Sequence, residues 1–311
     1  MNTALTRKTL VLLVLLTLVW GFNWPAMKVG VSGLPGDPQS FPPLTFRAVS
    51  LGLGLPVLWV VLRLMRVPLQ CPRSEWAEVL KLALPNMILW HAVVIVAVQS
   101  LSSGRAAILA YTMPVFSMMW GVMYGDRPTL RQLMGVVAAG LGVALLLSHE
   151  VSRLTGAPAA ALTMLTAAAL WALGTHWLRR STTQMPLLAL VLWMSILTWV
   201  VMTSLAVMLE RDRWTAIPAH VMYAMVYNAL GVFAFAHAAW FYLARHLPPV
   251  ASSISVMLIP VLGTFSGAVL LGEALHWQDY AAVSLMVVAI AAVLLRSAPQ
   301  EAPKDPQTPD R

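Results

Sequence analysis

An all-α membrane protein of ten transmembrane helices, built as two inverted five-helix repeats, is the fold class that the sequence predicts. Three observations predict it. Of 311 residues, 59% are hydrophobic and 10% are charged, where an ordinary soluble domain carries roughly a quarter charged residues. The charged residues leave long uninterrupted windows, among them 9–27, 82–104, 106–125, 154–178 and 246–272, each long enough to cross a bilayer. Finally, a pattern of small, aromatic and proline residues recurs at an offset of 146 positions.

Apolar stretches read against charge and Pro/Gly punctuation place helices near 9–31, 43–65, 76–99, 104–125, 129–148, 158–179, 185–209, 219–244, 250–272 and 277–296. The first follows Arg7-Lys8 as a signal peptide would. Its apolar run continues through Trp20-Gly21-Phe22-Asn23-Trp24 without a small-residue cleavage site, so it reads as an uncleaved span. Pro114 and Pro260 interrupt the fourth and ninth helices at matching depth, freeing carbonyls and allowing kinks that serve as hinges. Around them the stripes Ser117-Gly121-Gly125 and Gly263-Gly267 let neighbouring backbones approach closely. Thr129 and Gln132 have capping-box spacing at the start of the fifth helix. Gly135, Ala138, Ala139 and Gly142 on that helix suit close packing or a dimer contact, leaving monomer and homodimer both open. Residues 297–311 are polar, Pro-rich and expected to be disordered.

The net charge of +8 has a use in membrane topology, and no nucleic-acid signature accompanies it. With the N-terminus in the cytoplasm, 14 of the 20 Lys and Arg residues fall on the inner side, leaving Lys28, Arg47, Arg105, Arg153, Arg211 and Arg213 outside. Both termini are therefore expected in the cytoplasm and the bilayer is the expected surrounding. Cys71 is the one cysteine, which excludes an intramolecular disulfide.

The repeat carries the most information. Ala106-Ala107, Tyr111, Pro114, Gly121 and Gly125-Asp126 recur as Ser252-Ser253, Met257, Pro260, Gly267 and Gly272-Glu273, with a one-residue slip before the last pair. The same offset carries His91 onto His237, and Trp20 matches Trp171. The units are 1–149 and 150–296. Five helices is an odd number, so the second unit enters the membrane from the opposite side. Inverted halves of this kind imply alternating access around a shared site near the midplane.

These residues resemble the EamA-type members of the drug/metabolite transporter superfamily. The resemblance is carried by Trp20-Gly21-Phe22-Asn23 with Lys28, Arg47, Leu101-Ser102-Ser103-Gly104-Arg105-Ala106-Ala107, Tyr111 to Pro114, Gly125-Asp126, Trp171-Ala172-Leu173-Gly174, and Pro260 with Gly272-Glu273. It covers residues 9–296. It implies an exporter in which helices 1–4 and 6–9 surround a central cavity and helices 5 and 10 lie at the periphery. Amino-acid exporters, including an aromatic one, are similar in architecture. Asp126 stands where the family usually has Glu.

All twelve Asp and Glu residues fall in loops, the tail or helix ends. An intramembrane acid is the usual partner of an organic cation or its counter-proton, so its absence argues against a proton-coupled cation exporter. His91 and His237 are the strongest ionisable candidates inside the membrane, fit either for substrate contact or for quiet interhelical hydrogen bonds. They lack the further ligands a metal needs, and no cofactor is called for. Trp20 and Trp171 lie too deep for an interfacial belt. With Asn23, Trp24 and Tyr111 they suit an aromatic-walled cavity that takes an apolar side chain and an ammonium. Trp90 and Trp240 read as packing.

The expected function is export of amino acids, aromatic or other neutral ones, or similar small metabolites across the inner membrane, without chemistry on the substrate. One alternative is a carrier of phosphorylated or nucleotide-linked metabolites gripped by Lys28, Arg47 and Arg105. For each of these, snorkelling to the outer interface competes. Another is an intramembrane serine hydrolase built on Ser32, in Gly30-Val31-Ser32-Gly33, with His237. That motif reads as accidental, so no enzyme is expected.

Overall fold

A computed structural model describes residues 7–34, 36, 40–152, 157–246 and 249–294. Arg153, Arg296 and the 297–311 tail lie outside the described residues, and so do the side chains at Ser252, Ser253 and Met257. Ten rods run along the chain: α1 (Arg7–Ser32), α2 (Pro43–Leu64), α3 (Arg73–Ser100), α4 (Ser103–Met123), α5 (Leu130–Ser152), α6 (Pro158–Arg179), α7 (Leu187–Leu209), α8 (Ala219–His246), α9 (Pro249–Leu271) and α10 (Trp277–Leu294). No β-sheet occurs among the described residues. Among the described residues seven of the rods are long and apolar enough to cross a membrane, and shorter apolar stretches lie at Leu130–Leu146 in α5, Leu258–Leu271 in α9 and Trp277–Ala292 in α10. Observed ends match those expected from hydropathy to within four residues, because charge and Pro/Gly punctuation mark where lipid-compatible backbone stops.

Packing follows the inverted repeat. Exchanging α1–α5 with α6–α10 maps the largest contacts between the halves onto themselves. Thus α1 packs on α8 and α9 while α6 packs on α3 and α4, and the pairs α2·α7, α4·α9 and α5·α10 map onto themselves. The fold is therefore two inverted five-helix repeats. The α5·α10 pair is the peripheral one. Its seam takes up the small-residue face of α5, where Gly142 approaches the Ala282 carbonyl and Leu285 and Ala139 is buried. That part of the expected dimer stripe serves a contact within the chain. Thr129 and Gln132 exchange their side-chain and backbone bonds as the spacing requires.

The two prolines behave differently. In α4 the helix breaks at Tyr111–Thr112 and resumes at Met113 beside Pro114, whereas α9 runs unbroken through Pro260. The expectation of matched interruptions fails here. In α4, Thr112 turns its amide and hydroxyl onto the Leu109 carbonyl, which closes the break locally. The irregularity the halves do share is elsewhere: α3 carries a π-helical segment at Leu84–Leu89 and α8 one at Tyr227–Ala236, and the repeat offset superimposes the two. Pro85 lacks the donor that α-helical continuation needs in the first. Widened turns of this kind are frequent at functional sites.

Close approach at the α3 segment requires glycine on α6. A side chain at Gly174 would meet the Asn86 backbone nitrogen at 2.8 Å and its Cα at 2.9 Å, atoms that cannot rotate away. Gly174→Ala is expected to destabilise by about 1–3 kcal/mol. Gly140→Ala, where nothing lies within 4 Å, should be neutral or stabilising by up to about 1 kcal/mol. Thermal melting of the two purified variants checks this, and equal melting temperatures would contradict it.

Candidate functional site

Several of the buried polar groups lie where the halves meet. Arg47 is the fifth residue of α2 and is 1% exposed. At 1.5 Å per residue its Cα lies roughly 6 Å from the helix start. Snorkelling would carry the guanidinium outward along that helix. Instead it reaches inward: Nη1 donates to Asn228 Oδ1 at 3.4 Å, Nη2 to the Met27 sulfur at 3.0 Å, and the group stands 5.6 Å from the Phe233 ring centroid. The interfacial expectation for Arg47 is thereby overturned. Nothing acidic lies beside it among the described residues, and its Nε has no partner.

His91 on α3 and His237 on α8 meet the same aromatic ring. His91 packs edge-on against Phe233 at 5.4 Å, and His237 stacks on it at 5.8 Å with an interplanar angle of 8°. His237 Nδ1 faces the Val232 carbonyl at 2.8 Å; a carbonyl only accepts, so Nδ1 carries the proton. His91 is 5% exposed and neither of its ring nitrogens has a partner. Asn23 on α1 extends Nδ2 to the Met27 sulfur at 3.7 Å while its buried Oδ1 accepts nothing. Unpaired buried polar atoms are costly and uncommon, yet Asn23, Arg47 and His91 place four of them around Met27 and Phe233.

The remaining expected site residues divide into neighbouring pairs. Trp24 stands edge-on to Tyr111 at 6.5 Å and lies against Gly263, joining α1, α4 and α9. Trp171 packs on Trp90 at 5.2 Å and Trp20 on Trp240 at 5.5 Å, the latter pair among Leu16, Ala236 and Leu243. Sequence reading passed over Met27, Asn228 and Phe233. A lone Asn within the apolar stretch 219–244 was the available signal for one of them.

At one end of the bundle, buried and half-buried carboxylates bind helix starts and an arginine. It is the end where α1, α3, α7 and α9 finish and α2, α4, α8 and α10 begin. Glu273 accepts from the Ser103 amide at 2.7 Å, the Ser103 hydroxyl at 2.8 Å and the Gly104 amide at 3.3 Å, capping α4. Glu210 caps α2 in the same way through Leu44 and Thr45. Arg105 pairs with buried Asp279 at 2.8 Å, and Lys28 donates to the Val98 and Gln99 carbonyls. Gly267 makes room for the first latch, since a side chain there would overlap Ser103 Oγ and Glu273 Oε2. At the opposite end the repeat-equivalent acid, Asp126, forms only a 3.5 Å pair with Arg180, both side chains being about half exposed or more. Ser32 donates to the Gln99 carbonyl. Among the described residues no three His, Cys, Asp or Glu side chains gather to hold a metal.

Comparisons with known proteins agree with this architecture. A solved structure with a TM-score of 0.65 and 18% identity covers 93% of this chain and 97% of its own, which shows the fold. The transporter YoaV of Bacillus subtilis is 22% identical over 86% of this chain and 89% of its own length. The inner membrane transporter YedA of Escherichia coli is 27% identical over 90% and 88%. A probable amino-acid metabolite efflux pump of Salmonella typhimurium is 25% identical over 92% and 94%. The EamA-like transporter family model matches twice, over residues 7–148 and 158–295. With both halves matched and the helices arranged as an inverted pair of five, the chain belongs to the EamA-like transporter family.

Proposed function

We propose that the protein exports amino acids or similar small metabolites across the inner membrane by alternating access, with units 1–149 and 150–296 exchanging conformations and no covalent chemistry on the substrate. The observation that carries this reading is the buried polar cluster at the junction of the halves. Asn23, Arg47 and His91 come from one, and Asn228, Phe233 and His237 from the other. The carboxylate latches close one end of the bundle and leave Asp126 unlatched at the other, which is the asymmetry a two-sided carrier needs in any one state. The names of YedA and of the Salmonella pump support the membrane and the substrate class. Trp20, Trp24, Tyr111 and Trp171 serve this reading as aromatic walls, Pro114 as a hinge point, and Gly121, Pro260 and Gly267 as packing points. Efflux of a radiolabelled amino-acid mixture from proteoliposomes is the test, and a full panel that stays inside would refute it.

A phosphorylated-metabolite carrier is less well supported, because Lys28 is bonded to two carbonyls and Arg105 is paired with Asp279. A hydrolase is disfavoured too: the Ser32 hydroxyl faces a carbonyl, not a base.

Both termini are assigned to the cytoplasm, and Cys71 in the α2–α3 connection reports on this. A membrane-impermeant maleimide should label inside-out vesicles and spare right-side-out ones. Burial first, and the Glu75 charge second, push the Cys71 thiol up. Its thiolate fraction at neutral pH is therefore below that of an ordinary cysteine, and labelling should accelerate as pH rises through the alkaline range. Preferential labelling of right-side-out vesicles would reverse the assignment.

A further inference from the structure

We propose that Arg47 is the receptor for the carboxylate of the transported molecule, and that the molecule is a zwitterion or monoanion with an apolar body. The proposal rests on the exporter reading and gives it a substrate class. It begins with charge. A guanidinium removed from water is costly unless a negative charge accompanies it, and Arg47, 1% exposed, meets among the described residues only an amide oxygen, a thioether and an aromatic ring. The thioether is a weak acceptor, and the 3.4 Å bond to Asn228 is long for a charge-assisted one. Arg47 also lacks a counterpart in the second half. The fifth residue of α7 is Val191 where α2 has Arg47, so the duplication does not explain the cation.

The neighbours specify the rest of the ligand. His91 offers two unpartnered ring nitrogens and packs on the same Phe233 ring that Arg47 faces. A carboxylate that bridges Arg47 and His91 satisfies both. Asn23 shares the Met27 sulfur with Arg47 and holds a buried acceptor oxygen, Oδ1. That oxygen suits an ammonium. Phe233 and Met27 between them provide the apolar wall. The count of charges separates a carboxylate from a phosphate dianion. Lys28 and Arg105 are engaged elsewhere, so Arg47 supplies one positive charge, which one carboxylate balances and a phosphate dianion exceeds.

The test is thermal stabilisation of the full-length protein in lipid nanodiscs by four probes that share a phenyl body and differ in the head: L-phenylalanine, 3-phenylpropanoate, L-phenylalaninamide and phenyl phosphate. Both carboxylates should raise the melting temperature, and the amide and phosphate should not. Arg47→Met should abolish the response. Arg47→Lys, which keeps the charge and loses the fork, should weaken it about 10- to 150-fold in apparent affinity. The Met variant separates a receptor from a structural arginine. Removing a cation without an ionic partner should leave the ligand-free protein as stable as the parent or more so, whereas loss of a structural arginine lowers its melting temperature. Stabilisation by amide and acid alike, a response surviving in Arg47→Met, stronger binding of phenyl phosphate, or no response to any probe overturns the proposal. The two levels separate cleanly. Efflux that is indifferent to Arg47 leaves the exporter standing and removes the receptor. Arg47-dependent acid binding without efflux does the reverse.

Discussion

In a Cys71→Ser background, Glu273→Gln is expected to raise the labelling rate of a cysteine at position 107 by about 10- to 150-fold from the end of the bundle where α1 finishes and α2 begins. Ala107 is fully buried against Gly263, one turn beyond the Ser103–Gly104 start of α4 that Glu273 caps. The carboxylate holds two backbone amides and a hydroxyl, and the preceding chain has already turned back over Gly267 to reach them. Hydrogen bonds to a charged acceptor contribute about 1.5–3 kcal/mol. If that energy is present in the closed state and absent from the open one, losing it changes their ratio by the stated factor. Gln keeps the length and one acceptor oxygen, so the change isolates the charge. Asp126→Asn is the control. Its pair with Arg180 is solvated, and pairs of that kind contribute under about 1 kcal/mol; labelling at 107 should move less than a few-fold. Equal labelling in the Glu273→Gln variant and the parent would show that the latch does not hold this end closed.

The second large effect concerns stability. Arg105→Ala leaves Asp279, whose side chain is 4% exposed, without the guanidinium that donates through Nε at 2.8 Å and Nη2 at 3.5 Å. Removing one partner of a buried pair costs about 3–5 kcal/mol, because the remaining charge stays in a medium that solvates it poorly. Asp279 keeps the His276 amide at 2.8 Å, so the lower end of that range is expected. Arg105→Ala combined with Asp279→Ala should cost less than the sum of the single changes, since neither charge is then left alone. Reversible unfolding in mixed micelles, run as a double-mutant cycle, measures this. Additive losses would mean that the pair is not coupled. The same pairing explains why Arg105 is unavailable to a substrate while Arg47, four residues into α2, is not so engaged.

The two cases show how far the residues could be read in advance. Arg47 and Arg105 look alike in the sequence: each stands a few residues into an apolar helix, and snorkelling suited both. Which acid reaches which arginine depends on Asp279 starting α10 beside the start of α4, a pairing 174 residues apart. His91 and His237 were legible as a duplicated pair, but their common ring, Phe233, was not, because a phenylalanine in a lipid-compatible span carries no polar signal. Trp20 and Trp171 were legible as deep. That Trp240 and Trp90 are their partners was not, since ring contacts between helices leave no periodic trace.

The sequence by itself determined the ten helices, their ends and the inverted duplication. Hydropathy, proline and charge act locally along the chain, and an odd number of spans per copy leaves no other orientation. Only the tertiary structure decided which polar groups are matched and which are not. Glu273 meets α4 and Asp126 stays in solvent although the repeat makes them equivalent, and Arg47 turns inward to a ring and an amide. These outcomes depend on distances between helices distant in sequence, where a few ångströms separate a satisfied charge from one whose partner must come from outside the chain.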